Sequence, residues 1–102
     1  MALTISLVQG DSFWIVGKTP AEDLRFEMAE VFLTRGFVLT GPDKETIRVT
    51  PDDEVEICQD VWVSDGHRTI VGKARCVFDA PRQIRILRDE LYQELGRVPD
   101  AA

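Results

Sequence analysis

Apolar and polar residues alternate along much of this chain with a period of two, the spacing that turns one face of a β-strand to a core and the other to water. Leu3-Thr4-Ile5-Ser6-Leu7 is the first such run and Phe13-Trp14-Ile15-Val16 the second. Gln9-Gly10-Asp11 between them is a turn signal, so the two runs are expected to form an opening hairpin. Phe37-Val38-Leu39-Thr40 and Thr46-Ile47-Arg48-Val49-Thr50 flank Gly41-Pro42-Asp43-Lys44-Glu45, which predicts a second hairpin. Pro51-Asp52-Asp53 breaks the chain, and Val55, Ile57 and Val61-Trp62-Val63 then read as one extended stretch ended by Ser64-Asp65-Gly66. After a turn at His67-Arg68, residues 70–78 predict another strand that Pro81 ends, and Ile84 and Ile86 alternate in a last one. Residues 89–95 read as a short helix, with acids in its first turn, Leu91, Tyr92 and Leu95 on one side, and Gly96 as its cap.

Residues 19–35 fit two patterns. Thr19-Pro20-Ala21-Glu22 has the form of a helix-capping box, Gly36 could close the helix, and Leu24, Met28, Val31, Phe32 and Arg35 recur at helical spacing. Leu24, Phe26 and Met28 also alternate as a strand would, with Arg25 and Glu27 on the other side. Local propensity favours a helix over 20–35, and the strand stays open as the alternative.

Many short strands separated by turns predict a mainly β fold, a barrel or sandwich. The chain has 102 residues, 44% of them hydrophobic and 29% charged, which suits one folded domain spanning 1–102. No internal repeat or linker divides it, and only the tail 98–102 is expected to be disordered. The opening MALTISLVQGDSF has no basic stretch and no sustained apolar run, so no signal peptide and no membrane span are expected. Cys58 and Cys76 lie in strand-like surroundings without metal-ligand spacing, which suggests reduced, buried thiols in a cytoplasmic protein.

The net charge of −6 argues at first against a nucleic-acid partner, but its distribution is uneven. Residues 73–88 carry Lys73, Arg75, Arg82, Arg85 and Arg88 against Asp79 alone, whereas the segments on both sides are acidic. A local basic patch can hold phosphate on an acidic protein, because salt screens distant charge. Little else in the sequence suggests chemistry. Asp52-Asp53-Glu54 and Glu56 lack the spacing of a calcium loop and read as a solvated turn. His67, the one histidine, has no partnered nucleophile in view, and Ser64 beside Asp65 is not a triad, so no enzyme, metal or cofactor is expected. Trp14 and Trp62 suit core or interface packing better than base stacking.

The segment Ala74-Arg75-Cys76-Val77-Phe78-Asp79-Ala80-Pro81-Arg82-Gln83-Ile84-Arg85-Ile86-Leu87-Arg88-Asp89-Glu90-Leu91-Tyr92 resembles the C-terminal half of the CsrA/RsmA carbon storage regulators. A strand ending in Ala-Pro, a further alternating strand, and an Arg-acid-acid-Leu-Tyr helix start fall in the family's order without a gap. Leu3, Ile5, Gly10, Asp11, Phe13, Ile15 and Gly17 follow the family's opening strand, turn and second strand. Between these ends the chain is longer than a typical member, so the resemblance implies a CsrA-like intertwined β domain with an insertion over roughly 24–66 that carries an added hairpin. It further implies a homodimer in which the first strand of one subunit lies beside the last strand of the other.

The function so implied is translational regulation, by binding messenger RNA or small RNA at GGA-containing loops. Carried onto this chain, the RNA-binding residues are Arg88 above all, with Ile86 and Ile5 on the last and first strands and Arg85 and Arg82 as phosphate contacts. The sequence departs from the family where its first strand ends in a basic pair, because Leu7-Val8 stands there. Each lost phosphate contact lowers affinity by about tenfold unless a residue such as Arg25, Arg35 or Arg48 replaces it. That departure leaves a second expectation, a CsrA-like protein-interaction or structural module that no longer binds RNA.

Overall fold

The computed structural model describes residues 2–32, 36–66 and 72–95. These form nine strands and one short helix, in two antiparallel sheets. The strands are β1 (Ala2–Val8), β2 (Ser12–Val16), β3 (Leu24–Val31), β4 (Phe37–Thr40), β5 (Thr46–Val49), β6 (Glu54–Cys58), β7 (Val61–Asp65), β8 (Lys73–Asp79) and β9 (Arg85–Arg88), and the helix is α1 (Asp89–Leu95). One sheet has the order β1-β8-β7-β6 and the other β5-β4-β3-β2-β9. The mainly β expectation holds.

The period-two pattern places the core. Ile5 and Leu7 from β1, Val61 and Val63 from β7, and Ala74, Cys76 and Phe78 from β8 are buried on one sheet. Phe13 and Ile15, Phe26 and Met28, Phe37 and Leu39, and Ile86 are buried on the other, and all belong to one continuous cluster. Phe13 joins the layers: it stacks on Phe26 of its own sheet at 5.4 Å and meets Phe78 of the other edge-on at 5.1 Å. Edge-to-face and stacked pairs at these separations add to the area the rings bury.

Two local expectations are corrected, and two open alternatives are narrowed. The runs at β1 and β2 are strands, but they do not pair. The Gly10 N–H donates to the Met28 carbonyl and the Met28 N–H to the Asp11 carbonyl, at 2.9 and 2.8 Å. The turn is thereby pinned to β3, and the chain passes from one sheet to the other. In the segment 20–35, the only helical turn among the described residues is a 3-10 turn at Pro20–Glu22, and Leu24–Val31 is strand. Burying Phe26 and Met28 against both layers outweighs the modest helix propensity of the segment. The stretch through Val55 and Val63 is two strands, joined by a turn in which Asp60 adopts φ 63, a conformation Asp tolerates better than most residues. Trp62 is 38% exposed on the outward row of β7, outside the core that was one of its two expected places. The hairpin around Gly41 and the C-terminal helix form as expected.

The pairing scheme shows a repeat that inspection of the sequence did not reveal. Exchanging β1 with β5, β2 with β6, β3 with β7 and β4 with β8 turns the order β1-β8-β7-β6 into β5-β4-β3-β2. The register agrees up to a bulge between Glu56 and Cys58 that β2 lacks. Ile5 and Leu7 face Cys76 and Ala74, as Ile47 and Val49 face Leu39 and Phe37. Phe13 and Trp14 face Phe26 and Arg25, as Val55 and Glu56 face Val63 and Trp62. Even the connecting turns match: Asp11 N–H donates to the Val8 carbonyl, and Asp53 N–H to the Thr50 carbonyl. The chain is therefore two interlocked four-stranded halves plus β9 and α1, and the segment 24–66 supplies strands to both sheets.

Candidate nucleic-acid interface

The basic segment 73–88 folds as β8, a turn and β9. The Ile84 N–H closes the turn onto the Pro81 carbonyl at 3.0 Å. This sends β9 across to the other sheet, where Arg88, Leu87, Ile86 and Arg85 lie opposite Phe13, Trp14, Ile15 and Val16. Alternation then sorts the side chains. Ile86 is on the inward row and only 8% exposed, and Arg88 shares that row and is half-buried at its end. Arg85 and Leu87 are on the outward row, and Arg82 is exposed in the turn.

Ile5 and Ile86 are 8% exposed and belong to the hydrophobic core. Arg82 and Arg85 do come together, around a cavity of about 210 Å³ lined by Leu3, Phe78, Ala80 and residues 84–87. The cavity lies where the start of β1 meets β9, two outer strands of different sheets. Of the Leu7-Val8 pair, Leu7 is sealed in the core and Val8 is 38% exposed.

The remaining cations lie elsewhere. The Arg25 guanidinium donates to the Ser12 hydroxyl at 2.6 Å, and Arg48 sits over the Phe32 ring at 5.1 Å. Arg25 stands opposite Trp14 on the outward face that also carries Leu87 and Arg85. Arg35, His67 and the tail 98–102 lie outside the described residues. Trp14 stacks on Tyr92 at 4.0 Å with an interplanar angle of 7°, and its indole N–H donates to Asp89 at 2.8 Å. Its role is to dock α1 beside β9. Sequence reasoning had Trp14 packing but did not find these partners, since Asp89 and Tyr92 are seventy-odd positions away.

Both cysteines are free. Burial pushes the Cys58 thiol up to about 11, with the Glu56 carboxylate adding to the shift. Burial pushes Cys76 up to about 12; the Asp65 charge adds to this and Arg88 opposes it. Thiols that ionise only at such pH are poor nucleophiles. Cys58, half-buried, is expected to react slowly with a thiol reagent at pH 8, and Cys76 only after denaturation. Equal labelling rates in the native protein would contradict this placement. In the unfolded chain both ionise near 9.0, so the stability they contribute is intact below that pH and is lost as pH rises toward 11 and 12.

Among the described residues, no helix is long and apolar enough to cross a membrane. No protein-family model, no curated protein and no solved structure matches this chain.

Proposed function

We propose that this protein is an RNA-binding regulator of translation built on a CsrA-like plan, and that a single-stranded GGA-containing loop docks where β1 meets β9. The observation that carries the reading is the cavity between these strands, with Arg82 and Arg85 on its rim and apolar side chains beneath. Guanidinium groups suit phosphate and guanine edges alike, and an apolar floor suits unstacked bases. The strand exchange also supports it. β1 of the first half pairs with β8 of the second, and β9 pairs back with β2. Strands are thus exchanged between the two sheets within one chain, and the homodimer that the resemblance implies would add to this exchange.

Arg82→Ala combined with Arg85→Ala is the test. Both side chains are exposed, so the fold should survive. Loss of two phosphate contacts should lower RNA affinity by roughly a hundredfold and reduce the salt slope by about two. Unchanged affinity in a folded double variant would remove the cavity from the site. A protein-interaction module is the second reading, favoured by Val8, an apolar residue exposed at the end of β1 where the family carries positive charge.

A further inference from the structure

The exchange that relates the two halves accounts for eight strands and leaves β9 without a counterpart. On the five-stranded sheet β9 covers the outer edge of β2, whereas on the other sheet the matching strand, β6, is the last one among the described residues. An uncovered strand edge offers backbone N–H and C=O groups to another extended segment. Here the repeat also specifies what would fit.

Residues 54–56 of β6 correspond to 12–14 of β2, and a bulge between Glu56 and Cys58 shifts the register beyond them. A segment in the equivalent place would set one of its residues opposite Val55, as β9 sets one opposite Phe13. Val55 is partly buried against the core, so that residue should be aliphatic. Its outward neighbours would stand beside Glu54 and Glu56, both exposed, where β2 has Ser12 and Trp14. Asp52, Asp53 and Asp60 on the flanking turns are exposed as well, and no Lys or Arg occurs between Arg48 and Arg68.

We propose that the outer edge of β6 docks an extended segment of a partner protein, antiparallel to β6, in which aliphatic residues alternate with Arg or Lys. β9 does not carry this alternation, since it sets Leu87 opposite Trp14 and Arg88 opposite Phe13, and it is engaged with β2. A second copy offering its β6 would set Glu54 and Glu56 against their like. The proposal stands apart from the RNA reading, since it uses another edge and the opposite charge.

The test is a synthetic peptide of alternating isoleucine and arginine, titrated into the full isotope-labelled chain. It should move the amide signals of residues 54–58 and bind more weakly as salt is raised. Glu54→Lys with Glu56→Lys replaces two exposed carboxylates, so the fold should be retained, and should weaken binding about tenfold or more. No shifts at 54–58, shifts at 12–16 from exchange with β9, or equal affinity for the variant would overturn the proposal. So would a dimer that forms through β6 and excludes the peptide.

Discussion

Phe13→Ala should destabilise the protein by about 3–5 kcal/mol, the range for removing a buried aromatic ring from a well-packed core. Phe13 is fully buried and is a neighbour of both Phe26 and Phe78, so its loss opens a hole between the layers rather than within one of them. The sheet that holds Phe13 cannot relax into that space without disturbing pairing to β3 or β9, since Phe13 sits opposite Phe26 on one side and Arg88 on the other. Domains of this size have total stabilities of roughly 5–15 kcal/mol, so the variant should be only marginally folded. Urea denaturation measures the effect. A loss below about 1 kcal/mol would mean that the two layers do not meet at this ring.

Asp65→Ala should cost about 2–3 kcal/mol, the range for losing a buried hydrogen bond to a charged acceptor. Asp65 is 6% exposed, and its Oδ2 accepts the Gly36 N–H at 2.7 Å, which ties β7 to the start of β4 in the other sheet. Gly36 is the residue this place requires. Its φ is +97°, and a Cβ there would lie 3.0 Å from the Val49 carbonyl oxygen. Asp65→Asn keeps an acceptor in place and should lose less than the alanine variant. Equal stabilities of the two variants, measured by the same denaturation, would contradict a specific role for this bond.

Asp65 also shows why the sequence reveals only part of the fold. In the repeat its counterpart is Met28, since Asp65 faces Cys76 as Met28 faces Leu39. A carboxylate in a core row reads as the end of a strand, and the sequence indeed predicts a turn at Ser64-Asp65-Gly66. The partner at Gly36, distant along the chain, accounts for its burial. The repeat is faintly visible once its register is known: Thr4-Ile5, Asp11 and Ile15 recur as Thr46-Ile47, Asp53 and Ile57. Between β3 and β7 no such identities survive, and the longer connection through Pro20–Glu22 shifts the spacing, so no constant period appears.

Strand positions were legible because burial on one face demands alternation, which Phe26 and Met28 follow as clearly as Ile5 and Leu7. Strand partners were not. Alternation shows which residues face inward but not which sheet they belong to, so neighbouring runs at β1 and β2 read as a hairpin. The candidate site was legible in the same limited sense. The basic run 73–88 marks the segment, but alternation within β9 divides it, leaving Arg85 outward and taking Ile86 into the core beside half-buried Arg88. The role of Leu3 at the cavity depends on β1 crossing to β8, which nothing local encodes.

The central claim is that the β1 and β9 edges read a single-stranded RNA loop, and its most direct test is a salt titration of binding to a short RNA hairpin. A GGA loop is compared with a scrambled loop on the same stem. The account predicts tighter binding to the GGA loop, with affinity for both falling as salt rises because phosphate contacts release counterions. Equal affinity for the two loops at every salt concentration would contradict it, and would leave this β domain as a protein-interaction module.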